Sequence, residues 1–498
     1  MSIAHETDIL KSEKLTELLN ELQAIIHDSA QRGVPVHEVE RTVWREVLRI
    51  GRHCLGQFFA LHGTGDVGET VAVEDQQWHR LEELHVRRYV SIFGEFQLQR
   101  TVYGIREGQK IELVPLDNRL QLPQSDFSYV LQDWDQALCV EQAFGQAETT
   151  VARILGLKQS VASLEHMNRD MAEQVESYLL SRPLLPPEEE GQIVVASADG
   201  KGIVLRRDPE DPAPPAHRTK GEKASQKRMA TVGTVYTVDR YRRTPEQVVA
   251  ALFRDEPERS KDRPRPQDKQ VWASLPQDDG RFSGQAAVFT WLDWEVRLRN
   301  PGQTKETVYL CDGQESLWQS VAEALPDRNA VEILDLLHVT PRLWKAAHVF
   351  HPEKSKAAET FVRKRLLRVL EGRAAGVIRG LREMATKHKL TGSKKKAIRE
   401  ICGYLKNNLA RMGYDEYLAA GYPIASGAVE GACRHLVKDR MERAGMHWTA
   451  VGAQAMLDVR SIFVSGQWEE YQEYRIEKET QRLYPFREAA ELRFTMAS

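Results

Sequence analysis

Ile193-Val194-Val195-Ala196-Ser197-Ala198-Asp199-Gly200 is an apolar run that closes on an acid and a glycine. A second run of the same build lies downstream, Thr307-Val308-Tyr309-Leu310-Cys311-Asp312-Gly313. Short runs rich in β-branched and aromatic residues read as buried strands. An acid at the end of such a strand stands where ligands gather in open α/β sheets. The glycine behind it lets the backbone turn closely around a metal ion or a phosphate. A third acid, Glu430, follows Ser426-Gly427-Ala428-Val429 in a first helical turn, where the helix dipole favours the ionised form. Asp-Gly is also a common turn pair, so the residues alone leave a plain turn reading open at both places. Should the three acids meet, they suit Mg²⁺, with Mn²⁺ as a substitute. A hard dication takes oxygen ligands and keeps several waters. Two such ions about 3.5–4 Å apart steady both oxygens of an in-line phosphoryl displacement.

Working outward, β-type runs at 193–198, 202–205 and 231–238 are followed by a helix from Pro245, with Thr244 as its cap. Residues 254–268 read as loop, and 271–299 as an interrupted helix. Strand follows at 307–311, helix at 314–325, strand at 330–335 and helix at 337–349. Three strands and then alternating units predict a mixed sheet flanked by helices. Residues 352–420 are helical by pattern, and further helices run from Val429 to about Ala444 and from Ala450 to Phe463. Asp335 and His338 sit three apart at a strand-to-helix junction, so both side chains can face one edge of a pocket. A histidine there can orient a phosphate or move a proton; a capping or core histidine fits the spacing equally.

Toward the N-terminus, residues 1–62 keep helical spacing, 87–102 alternate around Gly94 as a hairpin, and 115–123 read as a loop. The stretch from Phe144 to Ala162 is an apolar helix, a Gly156-Leu157 turn and a serine opening a second helix. That is a helix-turn-helix pattern, which a purely structural helical corner shares. The regions expected are 1–75, helical; 76–185, a small hairpin plus the helix-turn-helix-like element; 190–350, the first part of the sheet core; 351–422, a basic helical insertion; 423–465, the Glu-bearing helix and its successor; and 466–498, a charged tail.

The 498 residues are 28% charged and 41% apolar, as in a soluble globular protein. No apolar stretch approaches the roughly 20 residues of a membrane span, and the N-terminus lacks the layout of a signal peptide. Five scattered cysteines with no CxxC pair argue for a reducing cytoplasm and against a thiolate zinc site. The net charge of −3 conceals an uneven distribution. From His351 to Arg411 stand 17 Lys and Arg against 5 Asp and Glu, and from His217 to Arg228 five basic residues against one acid. Basic segments on an otherwise acidic chain suit a polyanion met locally. Lys220, Lys223, Lys227, Arg228, Lys394, Lys395 and Lys396 are the candidates for DNA phosphates. Arg434 and Lys438, at i+4 and i+8 from Glu430, are candidates on the same helix face. Trp448 reads as a buried tryptophan more readily than as a stacking platform.

The chain resembles bacterial insertion-sequence transposases of the DDE class, the ISKra-type family above all. The matching segments are Ala198-Asp199-Gly200-Lys201-Gly202, the basic stretch from His217 to Met229, Leu310-Cys311-Asp312-Gly313 with Leu317-Trp318, and Asp335-Leu336-Leu337-His338-Val339. They continue through Trp344-Lys345-Ala346-Ala347, Gly427-Ala428-Val429-Glu430, Cys433-Arg434 and Lys438-Asp439-Arg440-Met441 to Gly445-Met446-His447-Trp448. The resemblance implies an RNase H-like mixed-sheet catalytic core with a helical insertion, preceded by a mainly helical DNA-binding region. It also implies that Asp199, Asp312 and Glu430 hold two Mg²⁺ ions, with Asp335 and His338 as an accompanying D-x-x-H. The implied activity is strand cleavage and strand transfer on double-stranded DNA, at terminal inverted repeats and target DNA. A homo-oligomer in the bacterial cytoplasm, associated with the nucleoid, is the expected form. Two other readings compete: a domesticated DNA-binding protein without catalysis, and an RNase H-fold nuclease that cuts without joining.

Overall fold

The computed structural model describes residues 12–73, 76–105, 113–183, 185–186, 188–206, 227–255, 263–277, 282–324, 330–443 and 446–485. The chain divides into two compact units, Val175–Gln467 being one, and Met1–Gln174 with Trp468–Ser498 the other. No helix among the described residues is long and apolar enough to cross a membrane.

In the first unit, helices Ser12–Arg32 and Val36–Leu61 pack together. Strands β1 (Thr70–Val73), β2 (Gln76–Arg80) and β5 (Tyr103–Gly104) form a small antiparallel sheet, and β3 (His85–Ser91) and β4 (Gly94–Arg100) form a hairpin. Its turn ends on Gly94 at φ +128°, a backbone region that favours glycine. Pro115–Leu120, expected as loop, is a short helix with proline at its first position. Helices Tyr129–Cys139, Phe144–Leu155 and Val161–Ala172 pack on one another. Gly156, at φ +70°, ends the second, and the Ser160 hydroxyl caps the third by accepting from Ser163 N at 3.1 Å. The stretch expected as a charged tail carries a helix, Trp468–Leu483. Its Tyr471 is fully buried with its hydroxyl on Met171 O, and Trp468 Nε1 donates to Asp133 Oδ1 at 2.6 Å. A tail drawn from charge alone overlooks the one aromatic stripe that pins it.

Asp135 is buried in the Tyr129–Cys139 helix; Gln159 donates to its Oδ2 at 2.8 Å, while Oδ1 has no partner. Burial pushes its carboxyl up to about 7, against the Gln159 bond, which acts the other way. A folded-state pKa raised this far favours the protonated form. The stability it contributes is full below the unfolded carboxylate value and is lost as pH rises through about 7. Asp135→Asn, neutral at every pH, is therefore expected to flatten the fall in melting temperature between pH 5 and pH 8. It should raise stability at pH 8 by on the order of a few kcal/mol. An equal pH dependence in both proteins would contradict this.

The second unit is a mixed α/β structure around a five-stranded sheet in the order β10-β9-β6-β7-β8. The strands are β6 (Ile193–Val204), β7 (Lys227–Val238), β8 (Gln267–Ser274), β9 (Glu306–Cys311) and β10 (Val331–Leu334). β7 runs antiparallel to both β6 and β8, whereas β9 runs parallel to β6 and β10 parallel to β9. Two expectations are corrected here. The runs 193–198 and 202–205 are one strand, because β7 pairs with all of it, Val232 opposite Asp199 and Thr231 opposite Gly200. Asp199-Gly200 is therefore extended backbone and no turn. The third antiparallel strand is 267–274, where the end of a loop (to 268) and the start of an interrupted helix (from 271) were expected; pairing with β7 overrides the local pattern of that stretch.

Alternate residues of β6 enter different cores. Val194, Ala196 and Ala198 pack against the Gly284–Arg299 and Glu315–Ala324 helices through Phe289, Leu292 and Trp318. Ile193 and Val195 pack on the other face against the Leu336–Phe350 helix and the helices Lys356–Leu370, Ala374–Lys387, Gly392–Asn407 and Tyr414–Ala420. Those last four are the expected helical insertion. Val362, Leu381 and Leu405 share one continuous core with Val308 and Leu310 of the sheet, so the insertion is part of the same unit and no separate domain.

Candidate active site

Strand register brings three acids into one row. Ala196 of β6 pairs with Tyr309 of β9, and Cys311 of β9 with Leu334 of β10. Asp199 and Asp312 follow the first pair by three residues each, and Asp312 and Asp335 follow the second by one, so the two ladders lead toward these three acids. Residues in register on neighbouring strands project to the same face. The face is the one covered by the Leu336–Phe350 helix and the insertion, since Leu310, two residues before Asp312, packs there.

The electrostatics of the neighbouring thiols agree with that row. Burial, with Asp335, Asp199 and Asp312 all adding to it, pushes the Cys311 thiol up to about 12. Burial and then Asp199 raise the Cys433 thiol further, with Glu430 adding a smaller part; its Sγ lies 3.7 Å from Asp199 Oδ2. The Glu430 carboxyl is raised by burial first and then by Asp335, with Asp199 acting in the same sense and His338 opposing. The third sequence acid thus feels Asp335, Asp199 and His338.

Glu430 is presented by the Gly427–Ala432 helix, which continues as a π-helical turn over Cys433–Lys438 and ends at Asp439–Met441. The regular helix expected from Val429 therefore contains a π turn, a feature that tends to mark functional sites. Ser426, just before it, donates its hydroxyl to Asp335 Oδ2 and its N–H to Oδ1 at 3.3 Å. Asp335 is almost wholly buried, and its Oδ1 also accepts from Leu337 N at 2.9 Å as the cap of the next helix. Burial raises its carboxyl, against those hydrogen bonds and His338. Asp335 thereby ties the Glu430 segment to the row.

His338 stands between two of the acids, Nδ1 at 3.4 Å from Asp312 Oδ2 and Nε2 at 3.8 Å from Asp335 Oδ2. It is neither the helix cap, which is Asp335, nor a core residue. Asp312 Oδ1 accepts from Tyr404 Oη at 2.8 Å and from Gly313 N at 2.5 Å. Arg342 lies over the Tyr404 ring at 3.3 Å, with Nη2 3.9 Å from Asp312 Oδ1. A Cβ on Gly313 would come within 2.5 Å of the Tyr404 ring, so the glycine of this Asp-Gly pair serves the close approach of the insertion.

Tyr404, Arg342, Ser426 and Cys433 escaped the sequence reading. Arg342 at His338 i+4, and Ser426 and Cys433 flanking Glu430 by four and three residues, carry a helical-spacing signal that could have found them. Tyr404 reaches Asp312 across 92 residues of chain, and no local pattern announces it.

The candidate basic residues divide. Lys394, Lys395 and Lys396 are exposed at the start of the Gly392–Asn407 helix. At 1.5 Å per residue they lie roughly 12–15 Å along it from Tyr404, outside the acid cluster. Lys396 is 3.9 Å from Glu400. Arg434 and Lys438 are exposed beside Glu430, Arg434 Nε being 3.6 Å from Asp439. Lys227 pairs with Glu442 at 2.9 Å, and Arg228 donates to Pro276 O at 3.0 Å. Lys220 and Lys223 lie outside the described residues. Trp448 is buried, its Nε1 donating to Met441 O at 3.3 Å.

Among the described residues no three of the His, Cys, Asp and Glu side chains stand close enough to form a finished metal cage. The donor chemistry nevertheless fits a hard dication, because the three acids supply oxygens only. Tyr404→Phe would remove one of the two short bonds that orient Asp312. Loss of such an outer partner typically costs 10–100-fold in metal affinity or activity. The expected result is a higher Mn²⁺ concentration for half-maximal DNA cleavage with an unchanged melting temperature, and an unchanged Mn²⁺ dependence would reject the role.

No family model and no curated protein matches this chain. The solved Drosophila P element transposase strand transfer complex is similar over 74% of this chain and 88% of that one, at 10% identity and a TM-score of 0.25. A likeness that loose leaves the function to the residues themselves.

Proposed function

We propose that the protein is a DDE-type DNA transposase that cleaves and joins DNA strands by metal-dependent phosphoryl transfer. The observation that carries this reading is the set of acids in or just past three neighbouring strands, Asp199, Asp312 and Asp335, with His338 within 3.8 Å of two of them and Glu430 feeling the charges of Asp335 and Asp199. The strand order supports an RNase H-like core, three antiparallel strands followed by two parallel ones with helices on both faces. The resemblance of the chain's ordered motifs to ISKra-type transposases points the same way.

Asp199, Asp312 and Glu430 would hold Mg²⁺ or Mn²⁺, two ions by analogy with that family. Bound there, the metal supplies charge neutralisation on the phosphodiester and a more acidic water. The residues of the chain do the rest. Asp335 fixes the Glu430 segment through Ser426, and Tyr404 and Arg342 orient the Asp312 carboxylate. His338 sits where it can donate to a phosphate oxygen or pass a proton between the acids. Cleavage by water frees a 3′-hydroxyl, which then attacks the target strand, so positioning and charge stabilisation suffice and no covalent protein–DNA link is needed. Arg434 and Lys438 flank the DNA path beside Glu430, and Lys394–Lys396 offer a more distant backbone contact, binding that weakens steeply with salt.

The deciding assay incubates the full-length protein with DNA carrying the sequences that flank its coding region, in Mg²⁺ or Mn²⁺. A joined strand-transfer product supports the proposal. Cleaved ends without joining would assign the protein to the nucleases, and binding without cleavage to non-catalytic DNA-binding proteins.

A further inference from the structure

On the sheet face that carries the acids, a cavity of about 300 Å³ opens beside the segment that leads into Glu430. Its walls include Tyr236, Tyr241, Arg243, Arg263, Lys269 and Asp239, and are closed by Gly421, Pro423, Ile424, Ala425, Gly427 and Ala428. Three cations thus face one acid, and among the described residues none of the three cations pairs with a carboxylate. Three cations against one acid leave an excess of positive charge, and an anion between them offsets the repulsion.

Arg243 is built into the wall. Its N–H donates to Leu418 O at 3.4 Å and its Nη2 to Tyr422 O at 3.1 Å, while its guanidinium lies 5.3 Å from the Tyr241 ring centre. The Nε is buried with no hydrogen-bond partner, a donor that native interiors seldom leave unused. Burial, and then the charge of Arg263, lower its pKa. Arg263 is exposed at the mouth, and Lys269 is half-buried on β8. Tyr236 joins this cavity to the acid row, since its phenol, raised chiefly by burial, feels Asp335 and Arg263 in opposite senses.

We infer that this cavity binds a phosphate group, contributed either by the DNA backbone or by a free phosphate ester. Two guanidinium groups and an ammonium match phosphate in charge and in donor geometry. The volume lies at the lower end of the range for small-ligand sites. Assignment to a DNA phosphate rests on the strand-transfer reading above; the anion site itself does not.

The test uses the full chain in EDTA, so that no metal-dependent step enters. Inorganic phosphate is titrated by calorimetry, then added against a fluorescein-labelled single-stranded oligonucleotide. Saturable phosphate binding is expected, weakened roughly tenfold by Arg263→Gln and by Arg243→Gln, about the effect of one charged hydrogen bond. Arg263→Gln alters an exposed residue and keeps the test decisive if Arg243→Gln fails to fold. Displacement of the oligonucleotide in step with phosphate occupancy identifies a DNA phosphate as the ligand, and binding without displacement a free phosphate ester. Absence of phosphate binding, or binding untouched by Arg263→Gln, overturns the inference. Failure of the strand-transfer reading would look different: phosphate binding intact, but no Mg²⁺-dependent cleavage.

Discussion

Asp312→Asn is expected to lower Mg²⁺-dependent strand cleavage at least about a thousandfold, the scale on which loss of one member of a catalytic set is felt, while DNA binding stays intact. The substitution is nearly isosteric, so the bonds from Tyr404 and Gly313 can persist on the amide oxygen. What disappears is the negative charge at the centre of the row, and with it one of the three oxygen ligands proposed for the metal. His338 would lose its carboxylate partner at 3.4 Å but keep Asp335, which separates this variant from a general collapse of the site. Electrophoretic mobility shifts with end-containing DNA, beside a cleavage gel, distinguish the two effects. Full cleavage by the variant would remove Asp312 from the chemistry.

The largest effect on stability is expected from Glu295→Ala. Glu295 is fully buried and takes two bonds from Arg182 Nη2, at 2.8 and 2.7 Å, and one from Arg299 Nε at 3.3 Å. Arg299 also reaches Glu190 at 3.2 Å and Asp268 at 3.0 Å, and Lys305 reaches Glu190 at 2.7 Å. Three cations and three acids balance in this network, well inside the second unit. Removing Glu295 leaves two buried guanidinium groups short of charge, a change that costs about 3–5 kcal/mol. At roughly 2–4 °C per kcal/mol for a unit of this size, the melting temperature should fall by about 10 °C. A shift below about 2 °C would mean that water or the remaining acids replace the lost carboxylate.

That network also shows where sequence reading stops. Glu188-Glu189-Glu190 looks like a linker because it is polar and follows prolines, yet Glu190 is a buried partner for residues more than a hundred positions away. The parallel half of the sheet, by contrast, was legible almost to the residue. β9 and β10 with their helices follow from apolar runs of strand length alternating with helical spacing, a signal that burial on both faces makes strong. β8 was not legible, because a strand whose identity depends on pairing with β7 resembles an interrupted helix when read alone. Asp199 was singled out for a reason that did not hold, since it lies within a continuous strand. It lies three residues beyond the last pairing of β6 with β9, so strand length and register, which no local pattern encodes, set its place. Tyr404 is the extreme case: only the shared core of sheet and insertion brings it to Asp312.

The central claim is that Asp199, Asp312 and Glu430 converge on divalent metal, and a crystal of the protein soaked in Mn²⁺ tests it most directly. Anomalous scattering should place manganese in contact with carboxylate oxygens of all three residues, beside Asp335 and His338, and Asp312→Asn should weaken that peak. Manganese bound elsewhere, or no peak at this cluster under saturating Mn²⁺, would contradict the account.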